Sequence, residues 1–185
     1  IFAGLIHAPD GSGAKLAAII VCHIGDLDAG ARAVEPIKRF GKPVMDVIGP
    51  MPYSVVNTLF DAGFPAHALN YWKANFLSGL SDGAIDTMIA SFAECPSPMS
   101  GLLLEHFPAA ATRVAPTATA FPHRTPGFNM LVAGEWMDPA QTAVNTAWTR
   151  GTYAAMSAHF ADGRYANYLN TDEIGDQSAV GAAFG

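Results

Sequence analysis

The 185 residues carry 10 Lys+Arg against 16 Asp+Glu, a formal net charge of −6 and a pI near 5.3. With the basic residues scattered, this balance argues against nucleic acid and anionic membrane as partners. Half of the residues are hydrophobic and only 14% are charged, an apolar surplus that suits one core burying a further face against another domain or a second copy.

No apolar run approaches the roughly 18 residues of a spanning helix, so no membrane segment and a cytoplasmic location are expected. Cys22 and Cys95 make neither a disulfide framework nor a zinc site and read as reduced, buried thiols. The chain opens without Met, inside an apolar run, and is expected to be a piece of a longer protein.

Ile1 to Ala8 and Lys15 to His23 flank the turn formers Pro9 to Ala14 and read as an antiparallel hairpin. Both runs are nearly continuously apolar, which predicts covered faces and a central position for Lys15 to His23. Asp26 or Asp28 caps a helix to Phe40, with Pro36 inside it. Val44 to Ile48 is a short strand candidate, and Val55 to Phe60 a helix stopped by Gly63 and Pro65. His67 to Leu77 reads as a strand. Ser81 then caps a helix striped by Ile85, Met88, Ile89 and Phe92.

Leu102 to Phe107 and Phe128 to Met137 are two more strands, separated by a Pro/Ala/Thr-rich connection with a possible short strand at Ala118 to Phe121. Asp138-Pro139 opens a helix striped by Val144, Trp148, Thr152, Ala155 and Phe160. Asp162-Gly163 ends it. The strands and helices do not alternate regularly, which predicts an α+β fold, an antiparallel β-sheet flanked by helices with a C-terminal helix and an extended return segment.

Most chemical signatures fail. Gly11-Ser12-Gly13 begins a dinucleotide fingerprint, but position 16 is Leu and a strand follows, so it is a turn. The six histidines lack ligand spacing, and no metal site is expected. Glu105-His106 on a strand points its two side chains to opposite faces and cannot act as a dyad. What remains is aromatic and amide density: Asn70-Tyr71-Trp72-Lys73, Phe121-Pro122-His123-Arg124 and above all Gly163 to Glu173, with Tyr165, Asn167, Tyr168 and Asn170 in one short segment. Polar tips on apolar bodies suit the wall of a pocket for a flat organic ligand, and equally suit amphipathic strands.

In order, Ile48 to Tyr53, Asp61-Ala62-Gly63, Tyr71-Trp72-Lys73, Leu104-Glu105-His106, Phe121 to Arg124, Asn145 to Arg150 and the Tyr165 segment resemble landmarks of the berberine bridge enzyme-like FAD-linked oxidoreductase family. The resemblance implies a truncated substrate-binding domain over residues 1–137 and a C-terminal flavin-covering segment over 138–185, with the N-terminal FAD domain absent. It also implies FAD as cofactor of the parent protein, hydride transfer from a small-molecule substrate to flavin, and inactivity of this piece alone.

By the same resemblance Tyr168 is the candidate base, since Phe128 to Ala133 has no carboxylate where plant members carry one. Its phenol would need a pKa pulled down from about 10. Asn167 and Tyr165 would contact the cofactor, and Tyr71, Trp72 and His123 would line the substrate pocket. The Tyr165 segment is expected to be loosely packed without its flavin. Two other classes fit the composition: a non-enzymatic α+β module dimerising through an exposed apolar face, and a cofactor-free small-molecule binding protein.

Overall fold

The computed structural model describes residues 1–107, 110–170, 172–173 and 177–184. In chain order the elements are β1 (Phe2–His7), β2 (Lys15–Ile20), α1 (Leu27–Lys38), the single turn α2 (Tyr53–Val56), β3 (Leu69–Leu77), α3 (Asp82–Ala93), β4 (Gly101–Phe107), β5 (Gly127–Trp136), α4 (Thr142–Ala155) and α5 (Gln177–Phe184). The strands form one five-stranded sheet in the order β2-β1-β4-β5-β3, and all four neighbouring pairs are antiparallel. This is the α+β architecture that the element pattern predicts.

Strand parity divides the sheet into two sides. Leu102 and Leu104 of β4, Met130 and Val132 of β5 and Leu77 of β3 join Ala84, Met88 and Phe92 of α3 and Trp148 of α4 in the main core. The opposite side carries a smaller cluster of Ala74, Leu131 and Ala133, with Trp72, Leu103 and Tyr168 against it. Helices α3 and α4 therefore cover one side, and Trp72 and Tyr168 lie on the other.

Helix α4 comes close to the sheet at Gly134. A Cβ there would strike Thr149 Oγ1 and lie 2.8 Å from the Tyr71 carbonyl oxygen. Because one of the two atoms met is backbone, which cannot rotate away, Gly134→Ala should lower stability by about 1–3 kcal/mol. Urea denaturation of the two proteins checks this, and a midpoint equal to that of the wild type would contradict the packing.

Several expectations are corrected. The second strand is paired antiparallel to the first, Phe2 opposite Ile20 through His7 opposite Lys15, but it is an edge strand and not a central one. It ends at Ile20, alternates exposed and half-buried residues, and leaves Cys22 exposed. Val44 to Ile48 and Ala118 to Phe121 form no strand, and the helix expected over Val55 to Phe60 is one turn. In α3 the buried stripe is Ala84, Met88 and Phe92, while Ile85 and Ile89 face outward.

On α4 the buried positions are Asn145, Trp148, Thr149 and Thr152, and Val144 is exposed. Trp148 and Phe160 belong to the core; the large apolar side chains left in water crowd instead into residues 40–64, Phe40, Val44, Val47 and Tyr53 among them. Among the described residues no helix is long and apolar enough to cross a membrane.

After α4 the chain turns back along the free edge of β3. The Ala161 amide donates to the Phe76 carbonyl at 2.8 Å, Arg164 Nη1 to the Ala74 carbonyl at 3.3 Å and Asn170 Nδ2 to the Trp72 carbonyl at 2.9 Å. These three acceptors are spaced two residues apart, the outward-pointing carbonyls of an edge strand that would otherwise invite another strand. The return segment thus caps the edge with one amide and two side chains instead of forming a sixth strand.

Candidate active site

On the side opposite α3 and α4, cross-strand pairing sets Glu105 of β4 directly opposite Asn129 of β5. Asn129 is fully buried and donates from Nδ2 to Glu105 Oε2 at 2.7 Å. The other carboxylate oxygen, Oε1, accepts the Tyr168 hydroxyl at 2.8 Å. Tyr168, Glu105 and Asn129 form a continuous hydrogen-bonded chain that runs from the sheet interior to its surface.

The backbone of the return segment brings the predicted residues together. Three residues cannot alternate along a strand and all reach one ring, but Ala166–Tyr168 is a 3-10 turn, in which positions three apart lie above one another. Tyr165 and Tyr168 consequently meet edge to face, ring centroids 5.2 Å apart at 83°. Asn167 stays exposed between them and donates to the Tyr165 hydroxyl at 2.9 Å. Gly163 starts this bend with φ +97°, where any side chain would come within 2.6 Å of the His123 ring.

Beside Tyr168 opens a cleft of about 610 Å3 lined by Glu105, Phe107, Ala111, Phe121, Arg124, Tyr165 and Tyr168. Of the other predicted pocket residues, His123 stands behind it: its ring packs 4.8 Å from Phe76 and its Nε2 donates to the Ala183 carbonyl at 3.2 Å. Trp72 shares the Tyr168 side of the sheet and meets Phe64 at 5.9 Å. Tyr71 faces the helix side, where its hydroxyl donates to Asp172 and accepts from Arg150 Nε at 2.9 Å.

Tyr71 belongs to a set of charges that fastens the return segment. Lys73, buried on β3, reaches Asp172 and Glu173 at 3.2 Å each. Arg150 of α4 meets Asp172 at 3.1 Å, and Arg164 meets Glu173 at 3.3 Å. The segment is therefore docked and not loosely packed as expected, because three cations and two anions around it are already paired within this chain. Thr171, inside the segment singled out from the sequence, lies outside the described residues.

Two findings depart from the sequence reading. The Tyr168 phenol is pushed up, not down: burial opposes its anion, and the bond to the Glu105 carboxylate and that group's charge add to this. The second is Glu105 itself, missed because the Glu105-His106 pair was weighed as a dyad. The two do face opposite sides, and His106 packs on Phe128 at 5.1 Å. The lone carboxylate of a strand that is apolar apart from His106 was the available signal, since such a group needs partners.

No protein-family model matches the chain, and no curated protein matches it. Solved structures do. A berberine bridge enzyme-like protein, number 28, from Arabidopsis thaliana superposes over 92% of this chain at a TM-score of 0.73 and 17% identity. The glycopeptide hexose oxidase complexed with teicoplanin matches 62% of the chain at 0.54 and 22% identity, and GilR, an oxidoreductase of gilvocarcin biosynthesis, 60% at 0.53 and 19%. The fold is that of one part of the berberine bridge enzyme-like FAD-linked oxidoreductases. This chain spans 39%, 26% and 25% of the length of those three proteins, respectively.

Proposed function

We propose that the chain is the substrate side of an FAD-dependent oxidoreductase that oxidises a small organic substrate by hydride transfer to flavin. Residues 1–137 would form the substrate domain and 138–185 the flavin-covering segment. The observation that carries this reading is the Tyr168–Glu105–Asn129 chain at the mouth of an open cleft, within a fold shared with flavin-dependent oxidoreductases.

Oxidising an alcohol or amine removes a hydride from carbon and a proton from the neighbouring heteroatom, so the protein must provide a place for that proton. A free Tyr168 phenolate is disfavoured by its surroundings. Coupled to Glu105, however, Tyr168 can take a proton on its oxygen while passing its own to Oε1, and no phenolate ever accumulates. Asn129 acts as a positioning residue: by holding Oε2 it leaves Oε1 turned towards Tyr168.

The ring end of FAD fits what is present. The exposed Asn167 carboxamide and the Tyr165 ring stand next to the cleft, a donor set suited to the edge and face of a flat heteroaromatic system. When bound, the flavin supplies the hydride acceptor. The rest of the cofactor would be held by chain beyond these residues, and on this reading the 185 residues alone would be inactive.

Glu105→Gln tests the relay. Its amide oxygen still accepts the Tyr168 hydroxyl but cannot take up the proton. In the flavin-loaded full-length protein, single-turnover flavin reduction by substrate should slow about 10²-fold or more with binding retained. Reduction at the wild-type rate would refute the relay.

A further inference from the structure

Ala111, Phe121 and Arg124 bring a second stretch of chain to the cleft, the connection between β4 and β5. Its residues 110–126 form neither helix nor strand, and so long a connection without regular structure goes with function in a folded domain. Among the described residues its two backbone hydrogen bonds, from the Arg113 amide to the Ala110 carbonyl at 3.4 Å and from the Ala118 amide to the Ala115 carbonyl at 3.0 Å, both close within it. Residues 113–120 are exposed. Side chains therefore set where the stretch lies.

Arg124 is the side chain that spans it. Its Nη1 donates to the Ala111 carbonyl at 3.0 Å and its Nη2 to Thr119 Oγ1, so one planar group joins the two ends of the exposed part. Thr119 Oγ1 also accepts the Phe121 amide at 3.3 Å, and the guanidinium lies 5.0 Å from the centre of the Phe121 ring. Phe121 is thereby held both by its backbone and by its ring. A second tie is His123, whose bond to the Ala183 carbonyl joins the stretch to α5.

Phe121 in turn backs the relay. Its ring meets Tyr165 edge to face at 5.6 Å and 88°, and Tyr165 meets Tyr168 in the same way at 5.2 Å and 83°. Such contacts are directional, because a ring edge must address a ring face. A displaced Phe121 leaves Tyr165 free to turn, and Tyr168 then loses the ring that keeps its hydroxyl 2.8 Å from Glu105 Oε1. The charges around Lys73 fasten the return segment further along, at residues 172–173; the rings fix its cleft end.

We propose that Arg124 is a positioning residue for the Tyr168 hydroxyl, acting through Phe121 and Tyr165 by tying Ala111 to Thr119 beside the Phe121 ring. Its consequence for rate rests on the relay proposed above; the path of contacts stands without it.

In the flavin-loaded full-length protein Arg124→Met, which keeps the stem and removes the fork, should slow single-turnover flavin reduction about tenfold at an unchanged substrate dissociation constant. Arg124→Lys should be about as slow, since an ammonium cannot span two acceptors and stack on a ring at once. Thr119→Val, at an exposed position, should slow reduction about threefold. In a Tyr168→Phe background, where no hydroxyl is left to place, Arg124→Met should add less than about twofold. Hydrogen exchange of the full-length protein reads the same path without turnover. Amides of residues 110–122 and 165–169 should exchange faster in Arg124→Met, while those of α3 and of Ala161, bonded to the Phe76 carbonyl, keep their wild-type protection.

The full slowing by Arg124→Met on top of Tyr168→Phe, full rescue by lysine, weaker substrate binding at an unchanged limiting rate, or unchanged exchange of residues 165–169 would each overturn the assignment. Wild-type reduction by both Arg124→Met and Thr119→Val would do the same. The relay would survive any of these, because it fails on flavin reduction in Glu105→Gln.

Discussion

Tyr168→Phe should leave flavin bound to the full-length protein and slow its reduction by substrate about 10²–10⁴-fold, the range expected when a positioned proton acceptor is lost. Phenylalanine keeps the ring, and with it the edge-to-face contact with Tyr165 and the packing on the Leu131 cluster. Only the hydroxyl that bridges the cleft to Glu105 disappears. Asn129→Leu should share part of this loss, since the carboxylate would no longer be held with Oε1 towards Tyr168. Stopped-flow absorbance of the flavin in a single turnover measures both, and wild-type reduction by Tyr168→Phe would remove Tyr168 from the mechanism.

Lys73→Met is expected to release the return segment. It leaves Glu173, 8% exposed, with Arg164 at 3.3 Å as its remaining cation. Breaking a buried pair on one side costs about 3–5 kcal/mol, and the segment it fastens also carries Tyr168. Amides of residues 161–170 should exchange with solvent much faster in the variant, while those of α3, packed on β4 and α4 away from the free edge of β3, stay protected. Uniform loss of protection would mean that Lys73 holds up the whole fold, and an unchanged segment would mean that the charges fasten nothing.

The same charges set a pH window for docking. Burial pulls the Lys73 ammonium down, but its bonds to Glu173 and Asp172 outweigh this and hold it above the ordinary lysine value. Its contribution is complete below about pH 10.4 and is lost as pH rises through the raised value. Burial pushes Asp172 up, but Tyr71 and Lys73 outweigh that and hold it below the usual carboxylate range. Its contribution is complete above about pH 3.9 and is lost as pH falls through the depressed value. Exchange from the segment should be slowest between these limits, and Lys73→Met should lack the alkaline limb.

By itself the sequence determined what is local. The hairpin, the Ser81 and Asp138 caps and the strands over Leu102 to Phe107 and Phe128 to Met137 follow from turn chemistry and from apolar runs, both of which act within a few residues. The crowding of Tyr165, Asn167 and Tyr168 into one segment was legible for the same reason. Tertiary structure decided which strand lies at an edge, because an apolar run such as Lys15 to His23 records what a strand could bury and not how many neighbours it finds.

It also decided the site. Glu105 and Tyr168 are 63 positions apart, and their meeting depends on β4 pairing with β5 and on the return segment being fastened to the far edge of the sheet. The direction in which the Tyr168 proton is held follows from that meeting, since burial and a neighbouring carboxylate are properties of the assembled surface and not of any one residue.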